Sequence, residues 1–407
     1  MNSLSARVRA SSDRIAQAAG IDVRLLGMIL VMVAIWVVLH LLTGGLFLTP
    51  RNLFNLSLQV AVVGIMTCGM VLIIVSRHID LSVGSQIGFI GVCGAVLQNS
   101  VLPIEGSSTW WITCLVMLGL GIVIGAVQGL LVARAGIPSF VVTLGGLLFF
   151  RNGAFYVNNG VTVAPLNSTF QLIGGGLDGT IGAFWSWVLC ALGIAATGFI
   201  VWRTRQRRSL HGTSSRTVAD EILMVAIWAA VMIGFTWIMN SYQQPKTDIA
   251  MGIPIPVLIL IGVTVIMTAI ARKHKFGRHV FALGGSQESA ELAGIDTRRL
   301  TVMVFMVMGL LCGLASIVIT ARLNAGASVT GTMTELNVIA AAVIGGTSLA
   351  GGVGTIYGGI VGALIMQSLE SGMILMGVPT PLQRMMLALV LIVAVWIDMA
   401  YRNTRRS

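Results

Sequence analysis

Residues 56–76 read LSLQVAVVGIMTCGMVLIIVS, and the next residue is Arg77. The run contains no Asp, Glu, Lys or Arg. It matches the length of about 20 apolar residues that an α-helix needs to cross a bilayer. Working outward, eleven more runs of this kind lie near 25–45, 82–101, 110–133, 138–157, 181–202, 221–240, 253–271, 300–321, 336–350, 355–375 and 382–400. The runs at 82–101, 138–157 and 336–350 are broken by Gly and polar residues, which makes them the candidates for half-helices. The reading is an all-α polytopic membrane protein of about 10–12 spans.

Composition agrees. Only 10% of the 407 residues are charged, 56% are apolar, 49 more are Gly, and the mean hydropathy is +0.93. Too few polar residues remain to cover a soluble fold of this size. A soluble enzyme, a disordered chain and a disulfide scaffold are excluded. Cys68, Cys93, Cys114, Cys190 and Cys312 lie within apolar runs without metal-ligand spacing, and read as small buried hydrophobes. His40, His78, His211, His274 and His279 are scattered, so no catalytic or metal constellation is expected.

The net charge of +11 follows from topology. If residues 1–24 are cytoplasmic and the spans alternate, one side holds Arg7, Arg9, Arg14 and Arg24; Arg77; Arg134; Arg203, Arg205, Arg207, Arg208 and Arg216; Arg272, Lys273, Lys275, Arg278, Arg298 and Arg299; and Arg402, Arg405 and Arg406. Only Arg51, Arg151, Lys246, Arg322 and Arg384 fall elsewhere. This asymmetry is the positive-inside rule, and it needs no nucleic acid. Both termini are expected in the cytoplasm, so the span number is even. Residues 25–400 form one membrane domain, 272–299 its largest cytoplasmic loop and 401–407 a tail. Residues 1–23 do not read as a signal peptide, since the first apolar run is long enough to span. Trp110, Trp111, Trp185, Trp187, Trp202 and Trp237 near span ends read as an interfacial belt.

Three segments carry more specific information. In 76–88, Asp80, Ser82 and Ser85 enter a span from a cytoplasmic turn. They suit either an ordinary helix N-terminus or an irregular entry lining a polar pathway, with Gly84 and Gln86. In 345–358 six glycines in fourteen residues point to a bend rather than one straight helix. The pattern Val83-Gly84-Ser85-x-x-Gly88-x-Ile90 returns as Val353-Gly354-Thr355-x-x-Gly358-x-Ile360, a weak internal repeat. In 276–295, residues 287–293 read as a short helix ended by Gly294, with Ala290, Leu292, Ala293 and Ile295 offered to the cytosol as a docking surface. Arg151 and Glu370 are ionisable residues within spans and should face the protein interior. With Glu370 the only carboxylate well inside a span, a proton-driven mechanism is disfavoured. No GxxxxGK[ST] occurs, so the chain has no nucleotide site of its own.

Ile79–Gly88, Ile137–Gly145, the Gly277–Ile295 loop and Ile344–Gly354 together resemble, in the same order, the permease subunits of bacterial ABC importers of the ribose/xylose/galactose type. The resemblance runs from about Arg51 to Trp396. An insertion around 200–245 separates this chain from the shorter ribose-type members. Gln128-Gly129, Arg151-Asn152-Gly153 and Ser286 stand where that family often has Asn-Gly, Arg-Gly and Asn. The resemblance implies a non-enzymatic transport subunit that binds no cofactor and works as a homodimer in the inner membrane. Its partners would be a periplasmic sugar-binding protein and a cytoplasmic tandem-cassette ATPase that holds ATP and Mg. It further implies that Gly277, Arg278, Gly284, Gly285, Ala290, Leu292, Gly294 and Ile295 couple to the ATPase. A neutral polyol needs hydrogen-bonding groups without a counter-charge. Asp80, Ser82, Gly84, Ser85, Gln86, Arg151, Gly346, Thr347, Ser348, Thr355 and Glu370 are the candidate pathway residues. Alternatives are a branched-chain amino-acid permease and an ion-coupled carrier.

Overall fold

The computed structural model describes residues 23–176, 178–210, 218–244 and 248–406. Most of the expected N-terminal segment, together with Arg216, His211 and Lys246, lies outside the described residues. Among the described residues there is no strand, only isolated bridges between loops.

Each of the twelve apolar runs is a helix. In chain order these are α1 (Val23–Leu42), α2 (Pro50–Val75), α3 (Val83–Val96), α4 (Thr109–Ala133) and α5 (Ser139–Val157). After a short α6 (Ser168–Leu172) come α7 (Gly182–Leu210), α8 (Val218–Asn240) and α9 (Ile255–Lys273). Two small helices, α10 (Lys275–Gly285) and α11 (Gln287–Leu292), precede α12 (Thr297–Leu323), α13 (Thr334–Ile344), α14 (Ile356–Leu375) and α15 (Thr380–Arg406). Nine helices among the described residues are long and apolar enough to cross a membrane. The expected half-helices at 82–101 and 336–350 are indeed short. α3 runs 14 residues into a π-helical turn, Leu97–Val101, and α13 runs only 11. The run at 138–157 differs from expectation: α5 is one continuous helix of 19 residues that runs through Gly145, Gly146 and Gly153.

Side-chain size sets the packing. α2 is the central helix, with 94% of its apolar window buried, against 11% for α1, α5, α7 and α8. Without a hydrophobic force between helices in lipid, close approach relies on small residues. α4 and α12 meet this way: a β-carbon on Gly121 or Gly125 would strike the carbonyl of Gly309 or Phe305. α13 and α14 do the same through Gly362 against Ala341. α7 and α8 expose many of their side chains, Trp185, Trp202 and Trp237 among them.

The loops gather at two ends. At one end, Arg77 reaches Gly284, Gly352 bonds Val75, and Ser139 bonds Ile79. At the other, Val163 pairs with Gly326, Asn167 with Gln98 and Ile104, and Ile181 with Ile253.

Candidate functional site

The first turn, residues 76–82, is closed by side chains. Asp80 Oδ1 accepts from the Ser82 N–H at 2.9 Å and from its hydroxyl at 2.6 Å. Ser82 Oγ in turn accepts from Gln86 Nε2 at 2.7 Å and from Gln128 Nε2 at 2.8 Å. Gln86 Nε2 also donates to Gln128 Oε1 at 3.1 Å, tying α3 to α4. Ser85 turns its hydroxyl back onto the Ser82 carbonyl. Asp80, Ser82, Ser85, Gln86 and Gln128 are all buried. Asp80 Oδ2 and Gln86 Oε1 have no partner within hydrogen-bonding distance. Gln128 was noted in the sequence only as a departure from the family pattern. No local signal pointed to a partner 46 residues away.

A second group lies one turn further along α3. Residues 324–333 are not helical, and they run antiparallel beside the small-residue face of α3. A β-carbon on Gly84 would strike Gly331 and Glu335, and one on Gly88 would sit 2.6 Å from the Thr330 carbonyl. Backbone without helical hydrogen bonds at membrane depth is tolerated only where it is satisfied by protein or lines a cavity. Arg151 supplies part of that: its Nη1 donates to Ser328 O at 2.8 Å and to Thr330 O at 2.9 Å. Glu335, at the first turn of α13, is buried, and its Oε2 has no partner. Val329, Thr332 and Met333 are exposed on the outer side of this segment. Sequence reasoning singled out Arg151 but not its partners, because carbonyls carry no residue-type signal.

The second turn, residues 345–355, is closed by backbone. Gly346, Gly351 and Gly352 adopt φ of +89°, +84° and +74°. Ser348 N–H donates to Val353 O at 2.8 Å, and Thr355 Oγ1 accepts from Gly358 N–H to cap α14. Thr347 is fully buried with its hydroxyl unpartnered. Gly346 and Thr355 border a small hollow shared with Leu25 and Met28 of α1. Glu370 stands apart from both turns, accepting from Asn337 at 3.1 Å and Gln367 at 2.9 Å. The candidate pathway residues thus form separate groups rather than one pocket.

The loop 274–296 is a folded unit. His274 Nδ1 caps α10, Ser286 Oγ caps α11, and Asp296 Oδ1 caps α12. Gly294 has φ +80° and ends α11 in a left-handed turn, with Ile295 N–H returning to Ala290 O at 3.0 Å. The sequence did not foresee α10, whose Gly277 and Gly284 are buried against backbone of α9 and α2. One expectation needs correction. Ala290 is not offered outward: it is buried, because α11 lays that face back on the membrane domain. Leu292 is 85% exposed, and Arg278, Gly285 and Gly294 are exposed with it, while Ile295 is half-buried. Glu291 accepts from Gln287 at 3.0 Å and Thr297 at 2.8 Å. These bonds hold its carboxyl below the usual range.

Comparison with known proteins agrees with this anatomy. The family model described as branched-chain amino acid transport system / permease component matches residues 52–395. The chain belongs to that permease family, and it is a transport subunit, not an enzyme. It is 38% identical over 383 residues to the xylose transport system permease protein XylH of Escherichia coli, covering 93% of this chain and 92% of that one. It is 36% identical over 378 residues to XylH of Haemophilus influenzae, covering 91% and 95%. The ribose import permease protein RbsC of Escherichia coli is 32% identical over 353 residues, covering 86% and 87%. No solved structure matches the chain.

Proposed function

We propose that this chain is the inner-membrane permease of an ATP-driven monosaccharide importer, with D-xylose as its substrate. The observation that carries the reading is the likeness to two xylose permeases over more than nine-tenths of this chain. Two copies form the working unit, and a sugar-binding protein delivers substrate from outside. A tandem-cassette ATPase, which holds the ATP and Mg, docks on 275–295. The basic loops and both termini then face the cytoplasm.

Neutral hydrogen-bonding groups suit a polyol. Unpartnered buried oxygens such as those of Asp80, Gln86 and Thr347 each cost about 1–3 kcal/mol, so the groups around the two turns favour added donors. Pathway roles for Asp80, Ser82, Gly84, Ser85, Gln86, Arg151, Gly346, Thr347, Ser348, Thr355 and Glu370 are part of this proposal. Selectivity resides mainly in the binding protein.

The test is uptake of labelled D-xylose into proteoliposomes holding the chain, the ATPase and the binding protein. ATP-dependent uptake that resists an uncoupler is expected. Uptake without the ATPase would overturn the reading, and competition by leucine rather than by pentoses would move it to an amino-acid permease.

A further inference from the structure

Arg77 sits in the left-handed region, with φ +65°. Glycine enters that region freely, and a residue with a β-carbon does not. An arginine kept there points to work for its side chain. Its guanidinium donates from Nε to Gly284 O at 2.8 Å and from Nη2 to Gly285 O at 2.6 Å. Those carbonyls belong to the last turn of α10, where helix carbonyls lack intrahelical donors and carry the negative end of the dipole. A forked cation suits both at once.

The same joint includes the second turn. Gly352 N–H donates to Val75 O at 2.9 Å. A β-carbon on Gly351 would strike the Arg77 side chain, and one on Gly284 would strike the Val75 carbonyl. Three segments distant in sequence therefore meet at one point: the turn after α2, the hinge between α10 and α11, and the glycine turn before α14. Two of them continue directly into α3 and α14, and the third is the loop that carries exposed Leu292.

We propose that Arg77 is a positioning residue for coupled transport, latching the first turn to the α10–α11 hinge so that movement of the loop displaces both turns together. This rests on the reading of 275–295 as the ATPase contact. The test measures sugar imported per ATP hydrolysed in proteoliposomes of the complete importer, comparing wild type, Arg77→Lys and Arg77→Gly. The latch predicts the order Arg, Lys, Gly, with a fall of about tenfold for glycine. Lysine falls between because its ammonium keeps the charge but lacks the rigid planar fork that meets both carbonyls. The thermal midpoint of Arg77→Gly should fall only modestly, because glycine's ease in the left-handed region offsets part of the lost guanidinium bonds. An unchanged ratio in Arg77→Gly, or a glycine variant that couples better than lysine, would assign the position to the backbone and overturn the latch. A Leu292→Cys cross-link to the ATPase separates the two ideas. If it forms while Arg77→Gly couples normally, only the latch fails. If it does not form, the docking reading fails and the latch with it.

Discussion

The turns at 76–82 and 345–355 lead into helices with the same opening pattern, yet they are built from different material. The first is held by side chains: a carboxylate, a serine and two amides bond one another in a buried knot. The second is held by main chain, with three glycines at positive φ and a short backbone bond. A similar sequence pattern can therefore reach a similar helix entry through chemistry in one place and through conformational freedom in the other. The two should fail in opposite ways. The first is vulnerable to losing a polar atom, and the second to gaining a carbon.

The largest effect is expected at the first turn. Asp80→Leu strips Ser82 of its acceptor inside the protein, at a cost of about 3 kcal/mol. The midpoint of thermal unfolding in detergent should drop accordingly. Asp80→Asn, which keeps the shape, should cost about 1 kcal/mol. Equal tolerance of both would mean the knot is not what holds the turn.

At the second turn the complementary change is Gly358→Ala. Its new methyl would strike the Gly345 carbonyl and lie 2.6 Å from Thr355 Oγ1. About 2 kcal/mol should be lost. Gly145→Ala in α5, which meets nothing within 4 Å, is the control and should be neutral or mildly stabilising. A harmless Gly358→Ala would remove the contrast between the turns.

The loop that touches both turns sharpens the comparison next. Leu292→Asp should leave the thermal midpoint in place while lowering ATP-driven uptake about tenfold, as loss of an anchor residue does. Ala290→Asp should instead lower the midpoint, because that side chain is buried. If both variants behave alike, the loop does not have distinct inward and outward faces.

The smallest effect concerns acid. Glu291 is held below the usual carboxylate range by the bonds from Gln287 and Thr297. A depressed value means its contribution is present above the ordinary carboxylate range and is lost as pH falls through the lowered one. Amide exchange in α11, corrected for intrinsic rates, should rise slightly in that acid window. Glu291→Gln should abolish the pH dependence.

Much of the architecture was legible in advance because lipid makes hydropathy a strict criterion. The twelve apolar runs each became a helix, and the glycine clusters at 345–358 and the cap at Gly294 marked real bends. The candidate site was legible as segments but not as a set of partners. Asp80 and Gln86 could be named, whereas Gln128 could not be assigned to them. Arg151 could be placed inside the protein, but its acceptors are carbonyls of residues 177 and 179 positions away. Ala290 was given the wrong face, since a single helical turn has too few residues to define its own amphipathicity.

By itself, the sequence determined the membrane class, the helices, the uneven distribution of basic residues and the short helix in the largest loop. Each depends on residues a few positions apart, meeting lipid, water or their own backbone. The tertiary structure alone decided that residues 324–333 run beside α3 and that Arg77 grips a helix end 207 residues away. It also decided that two glycine-loosened turns share one joint. Those facts depend on how closely helices approach, and that distance is set by which small residues face each other after packing.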